Sequence, residues 1–238
     1  MNNLDENIRS AAKNFWEIRH IQGAKQKASG KTDAGSRSAV TGGKQMDGFE
    51  KIAIDMALDA GIKESSIFQA KSLELPGYFR PTKKWDLLIV EDNQLIAAVE
   101  FKSQVGPSFG NNFNNRLEES LGSATDLWTA YREGAFGTSL RPWLGYLFVL
   151  EDCDKSNTPV KVSEPHFKVF PEFNGASYSK RYEILIRKLL LERHYNGASL
   201  LMTRKDPFDV STPNNDLGPK HFYVQFQAHL RAYADERR

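Results

Sequence analysis

Two apolar runs separated by a short polar turn constrain this chain more than any other feature. Trp85-Asp86-Leu87-Leu88-Ile89-Val90 leads through Asp92-Asn93-Gln94 into Leu95-Ile96-Ala97-Ala98-Val99-Glu100-Phe101. Short apolar runs flanking a turn rich in Asp and Asn read as a β-hairpin. Neither run alternates between apolar and polar residues, so both faces of each strand must be covered, as in a sheet with helices on either side. Such a hairpin needs a large core around it. The 238 residues, 40% of them hydrophobic, supply one without disulfides or a structural metal. A single cysteine, Cys153, can form no intrachain bridge, which fits a reducing cytoplasm. Residues 1–6 lack a basic leader followed by an apolar run, and no apolar stretch reaches about 18 residues, so a cytoplasmic protein without membrane contact is expected.

Around the hairpin, periodicity predicts the remaining elements. Phe49, Ile52, Ala53, Met56, Ala57 and Ala60 keep a helical spacing that ends at Gly61, with Asp47 as the expected N-cap. Ile67 to Leu75 alternates like a strand and stops at Pro76-Gly77. Ser108 to Asn115 reads as a polar loop, Leu117 to Tyr131 as a helix closed by Gly134, and Leu144 to Leu150 as a buried strand. The expected fold class is therefore α/β, an α+β mixed sheet, with element order α-β-β-β-α-β. A helix over about 178–195, a strand over Ala198 to Thr203 and a helix over about 219–235 follow. A first helix, over about 4–20, leads into a Gly/Ser/Lys stretch. Residues 1–45 are thus expected to form an N-terminal helix and basic arm, and residues 46–238 a single domain.

Charge sharpens this division. The chain carries 32 Lys and Arg against 30 Asp and Glu, a net charge of +2. That argues against a protein that coats nucleic acid by bulk charge but leaves local charge open. Between Arg19 and Lys44 stand Arg19, Lys25, Lys27, Lys31, Arg37 and Lys44 against one acid, Asp33. With little to bury, this window reads either as an arm ordered by something negative or as a solvated linker.

The hairpin's charged residues stand at the ends of its strands, where an unpaired charge is costly. A turn centred on Asn93 places Asp86 directly opposite Glu100. Side chains alternate along a strand, so Glu100 and Lys102 share one face, Phe101 takes the other, and Asp86 projects beside them. Two carboxylates and one ammonium then converge. The carboxylates repel each other unless a cation joins them, and hard oxygen ligands suit Mg²⁺, which keeps several waters. A neighbouring lysine can orient or deprotonate one of those waters and balance charge in a phosphorane-like transition state. The acid-x-Lys tripeptide is a weak signal by itself, but it occurs once, at the end of an apolar strand with a second acid in register. A structural salt bridge from Lys102 to Asp86 or Glu100 is the alternative.

Asp86…Glu100-Phe101-Lys102 resembles the signature of the PD-(D/E)xK nucleases, which implies metal-dependent phosphodiester hydrolysis by those residues on a restriction-endonuclease-like core. Trp85 precedes Asp86 here, and the nearest proline is Pro81; metal binding does not require one. Longer strings resemble the XhoI family of type II restriction endonucleases. They are Arg37-Ser38-Ala39-Val40-Thr41-Gly42-Gly43-Lys44-Gln45, Arg80-Pro81-Thr82-Lys83-Lys84-Trp85-Asp86-Leu87, and the run from Glu100 through Gly106-Pro107-Ser108-Phe109-Gly110 to Arg116. The similarity continues through Gly122 to Trp128 and Glu164-Pro165-His166-Phe167, covering most of the chain from about residue 15. It implies Mg²⁺-dependent cleavage of double-stranded DNA at the palindrome CTCGAG by a homodimer, leaving 5′-phosphate ends. A cognate DNA methyltransferase is then a genetic partner rather than a bound subunit. By this resemblance Asp86 and Glu100 hold metal and Lys102 serves the attacking water.

Other residues are candidates for DNA contact. Asn can pair with adenine edges and Arg with guanine, so Asn111, Asn112, Asn114, Asn115 and Arg116 can read bases or phosphates. Asn is equally a loop and cap residue. Gln104 shares the strand face of Lys102. Lys83 and Lys84, with Arg80, flank Asp86, and Lys44 and Gln45 join the basic arm to the first core helix; each can clamp phosphate. Some enzymes of the superfamily add an acid from that helix, a place open to Asp47 or Glu50. Phe222, Phe226 and Tyr233 near the C-terminus are candidates for a dimer surface or for the core. The five His residues show no paired ligand spacing, which argues against a zinc or His-metal nuclease. A structure-specific repair or recombination nuclease on the same core, or a DNA-binding module without catalysis, are the alternative functions. A retired site has little reason to keep clustered carboxylates beside DNA phosphates.

Overall fold

The computed structural model describes residues 3–28 and 44–237. Among the described residues eight strands follow one another as β1 (Ile67–Phe68), β2 (Glu74–Pro76), β3 (Thr82–Lys84), β4 (Leu87–Glu91), β5 (Gln94–Gln104), β6 (Trp143–Glu151), β7 (Gly197–Arg204) and β8 (Asp209–Ser211). Six of them form a mixed sheet in the order β1-β4-β5-β6-β7-β8, and β2 and β3 form a separate two-stranded hairpin. The pairs β5–β6 and β6–β7 are parallel; β1–β4, β4–β5 and β7–β8 are antiparallel. The α-helices of the described residues are α1 (Leu4–Ala28), α2 (Asp47–Asp59), α3 (Phe109–Arg132), α4 (Asp154–Asn157), α5 (Tyr178–Leu191) and α6 (Pro219–Asp235).

Strand alternation sorts the central side chains onto two cores. On one face Leu87, Ile89, Val99, Leu147 and Val149 pack under α1, α2 and α6 through Phe15, Phe49, Met56, Phe222 and Phe226. On the other, Leu88, Ala98, Phe148, Leu150 and Leu200 pack under α3 and α5 through Leu127, Trp128, Tyr182 and Leu189. Phe222 and Phe226 are thus core residues, which removes them from any dimer surface. Among the described residues no helix is long and apolar enough to cross a membrane.

The hairpin forms as expected, with one adjustment. Glu91 pairs with Gln94 across a two-residue turn, Asp92-Asn93, whose φ angles of 49° and 60° match the twist of a tight hairpin. This turn is one residue shorter than the predicted one. A bulge between Ile89 and Val90 takes up the difference, so Leu87 still pairs with Val99.

Elsewhere the boundaries differ. The single strand expected from Ile67 to Leu75 is broken into β1 and β2, because Ser72 adopts a φ of 55° between them. That break, together with the unexpected short strand β3, puts five strands rather than three between α2 and α3. Helix α1 runs on to Ala28, through residues expected to begin the arm, since Gln, Ala and Lys are good helix formers. The rest of the expected arm, 29–43, lies outside the described residues. Asp47 is not the cap of α2: Met46 takes that position after a 3₁₀ turn, and Asp47 is the first helical residue. The polar loop expected from Ser108 to Asn115 is the start of α3, anchored by buried Phe109 and Phe113. Helix α5 ends at Leu191.

Candidate active site

β5 outruns its neighbour. β4 begins at Leu87, opposite Val99, so the segment from Glu100 to Gln104 runs on beside β6 alone. Asp86 stands just before β4. Its amide donates to the Val99 carbonyl at 3.3 Å, and its Oδ2 accepts from the Phe101 amide at 2.8 Å. Lys102 Nζ reaches both carboxylates, 2.8 Å from Glu100 Oε1 and 3.2 Å from Asp86 Oδ2. The structure thus brings Asp86, Glu100 and Lys102 to one point.

A fourth charge joins them from β3. Lys83 Nζ lies 3.0 Å from Glu100 Oε2 and 4.2 Å from the centre of the Trp85 ring. That ion pair lacks the alignment of a hydrogen bond, and Glu100 Oε2 is buried with no hydrogen-bond partner. Glu100 is only 5% exposed. Burial alone would raise its carboxyl, but Lys102 and Lys83 more than offset this and hold it below its ordinary value. Burial likewise works to lower Lys102, and Glu100 and Asp86 override it, keeping the ammonium charged.

Glu50 on α2 lies within the field of this group. Its carboxyl is pushed up to about 8 by burial first, then by Asp86 and Asp47, against the pull of Lys102. Of the two acids considered on that helix, Glu50 is the one half-buried toward the cluster, whereas Asp47 is exposed. No three His, Cys, Asp or Glu side chains among the described residues gather closely enough to hold a metal by themselves. The protein offers a carboxylate pair with one buried oxygen that accepts no hydrogen bond, a donor set that suits a cation keeping most of its waters.

The remaining candidates scatter. Gln104 is buried; its amide nitrogen donates to the carbonyls of Ser108 and Phe109, and its oxygen accepts from the Tyr182 hydroxyl. It is an internal post that fixes the turn into α3, not an exposed reader of DNA. Gln45 is also buried, while Lys44 and Lys84 are exposed. Asn111, Asn114 and Asn115 are exposed on the first turns of α3, and Asn112 is partly buried. Arg116 pairs with Glu119 at 2.5 Å.

Arg80, Lys83, Lys84, Glu100, Lys102 and Arg116 line one open cleft of about 580 Å³ between the β2–β3 hairpin and α3. Asp126, on the buried stripe of α3, ties the two walls together. It accepts from the amides of Tyr78 and Phe79 at 2.7 and 2.8 Å and from Arg80 Nε at 2.6 Å. Burial would raise this carboxyl, but Arg80 and the two amides hold it below its ordinary value. Neither Asp126 nor the pairing of Lys83 with Glu100 was anticipated. The signals were an acid at helical spacing between buried Ser123 and Ala130, and the alternation that puts Lys83 and Trp85 on one side of the chain.

Comparison with known proteins bears on this geometry. Residues 25–212 match the sequence-family model described as restriction endonuclease XhoI. The chain is 54% identical over 217 residues to the type II restriction enzyme BstVI of Geobacillus stearothermophilus, covering 88% of this chain and 96% of that one. The chain belongs to the XhoI restriction endonuclease family. It is also 47% identical over 190 residues to the type II restriction enzyme XhoI of Xanthomonas vasicola, covering 79% and 76% of the two chains. With the type II restriction enzyme AbrI of Azospirillum brasilense it shares 52% over 165 residues, covering 69% and 74%. No solved structure matches it. The XhoI match begins within α1 and ends just past β8, so it contains the whole charged cluster and the cleft. Helix α6 lies beyond it, yet α6 supplies Phe222 and Phe226 to the core.

Proposed function

We propose that this protein is a type II restriction endonuclease of the PD-(D/E)xK kind, hydrolysing both strands of double-stranded DNA at the palindrome CTCGAG and leaving 5′-phosphate ends. The observation that carries the proposal is the convergence of Asp86, Glu100 and Lys102 beyond the end of β4, in a chain of the XhoI family. Asp86 and Glu100 would hold Mg²⁺, with Glu100 Oε2, which accepts no aligned hydrogen bond and is held only by its ion pair with Lys83, as the oxygen that turns to the ion. Bound there, the ion supplies Lewis-acid activation of water and neutralises charge on the phosphate. Lys102, fixed between the two carboxylates, serves the attacking water and donates toward the developing negative charge. Lys83 releases Glu100 and turns its ammonium to the phosphate.

Exposed Lys44, Lys84, Asn111, Asn114 and Asn115 are the DNA contacts of this reading, with Asn112 and Arg116 behind them. Residues 46–238 act as one nuclease domain, and 1–45 as a helix and basic arm. A palindromic target calls for a two-fold homodimer, each subunit cutting one strand. The cognate methyltransferase protects host DNA in the cytoplasm as a separate protein.

Plasmid DNA incubated with the protein and Mg²⁺ is expected to give discrete bands whose ends map to CTCGAG. Asp86→Ala and Lys102→Ala are each expected to slow cutting by at least about 100-fold. Random smearing would sink the specificity, and undiminished cutting by either variant would sink the site. Nicking confined to branched DNA would favour a repair nuclease.

A further inference from the structure

Tyr78 and Phe79 are 55% and 70% exposed, adjacent in sequence, with ring centroids 5.3 Å apart and planes crossed at 82°. Single exposed rings are ordinary, but these two form one apolar knob at the tip of the β2–β3 hairpin. The backbone beneath them is built with care. Asp126, 3% exposed, directs its three hydrogen bonds at this loop, to the amides of both aromatic residues and to Arg80. Burying a carboxylate is costly unless its bonds are made, so fixing this tip is where that cost is offset. Gly77 completes the seat: a Cβ there would run into the Asp126 carboxylate.

The knob adjoins Arg80, a residue of the charged cleft. Arg80, next to Phe79, lines the same cleft as Glu100 and Lys102, and exposed Lys84 continues the basic edge. Glu118 and Glu119 line the opposite wall on α3, and Glu119 is paired with Arg116. A polyanion whose phosphate enters the cleft meets Arg80 and Lys84, and Tyr78 and Phe79 precede Arg80 in the same loop. Aromatic faces stack on nucleotide bases of any sequence, and apolar side chains can wedge between base steps.

We propose that Tyr78 and Phe79 form a rigid aromatic wedge that packs on the base and sugar faces of the nucleotides flanking the scissile phosphate, held in place by Asp126. The proposal rests on the DNA-cleaving reading of the same cleft and adds to it the residues that grip DNA without charge. Because stacking releases no counterions, these rings contribute affinity that salt does not weaken.

Full-length protein, Tyr78→Ala, Phe79→Ala and the double variant are compared on a duplex bearing CTCGAG, with 2-aminopurine beside the cleavage position. Each single variant is expected to raise KM by about tenfold with kcat much less affected, and the double variant by more. The salt dependence of binding should keep its slope, the 2-aminopurine signal should be lost, and Phe79→Trp should restore both affinity and signal. Unchanged KM and fluorescence in the variants, with the parent protein cutting normally, overturns the wedge alone. A parent protein that neither binds nor cuts the duplex overturns both readings. Loss of affinity matched by a dimer falling to monomers in sedimentation also overturns the wedge, placing the rings against a second copy.

Discussion

Glu50 shows how one residue reports the character of the whole site. A glutamate in an unfolded chain titrates near 4.5, whereas in the folded, metal-free protein Glu50 holds its proton to about 8. Between those values the folded state binds the extra proton, so stability falls as pH rises through the window. Glu50→Gln removes that penalty. It is expected to match the parent near pH 4.5 and to melt roughly 2–4 °C higher at about pH 9 in chelator, the shift of about 1 kcal/mol that a half-buried, partly solvated group allows. Equal differences in Tm at both pH values would discard the assignment. Which acid of α2 lies nearer the cluster was not legible, because the resemblance left both Asp47 and Glu50 open and the sequence does not say which faces the sheet. Asp86, Glu100 and Lys102 were legible together because strand alternation and register are short-range rules. Lys83 was not, since its partner depends on how a separate hairpin folds back over β5.

At the scale of elements, Asp126 fastens the β2–β3 hairpin to α3. Asp126→Asn keeps the shape but surrenders the charge-assisted bonds and is expected to cost about 1–3 kcal/mol near pH 7, read from urea unfolding. The folded carboxyl is held below its ordinary value of 3.8. Its contribution is therefore complete above that value and is lost as pH falls through the lower folded one, so the gap between parent and variant should narrow in acid. A gap that widened in acid would contradict the charge argument. The elements best read from sequence were those with long apolar periodicity: the hairpin, the later turns of α3, β6 and α6. The start of α3 was misread because Asn111, Asn112, Asn114 and Asn115 are poor helix formers that favour caps and turns. Phe109 and Phe113 decide the matter by burying one helical turn apart against Tyr178 and Tyr182. The pairing of Leu87 with Val99 came out as expected through compensation, a turn one residue shorter than predicted and a bulge that restores the register, while Asp86 stands just outside the ladder and is not paired with Glu100 in it.

For the whole molecule, a net charge of +2 conceals a local balance. Asp86 and Glu100 are matched by Lys102 and Lys83, and Glu50 keeps its proton near neutral pH. The two carboxylates proposed for magnesium are therefore already compensated by the protein's own ammonium groups. Folding should be indifferent to the ion: melting temperatures in EDTA and in millimolar Mg²⁺, without DNA, are expected to agree within about 3 °C, because weak binding to the folded state adds little. A collapse of Tm in chelator would show that the lysines do not balance the site. If cutting needs magnesium as proposed, such a protein can be assembled, concentrated and stored inert, then armed by a change of buffer alone.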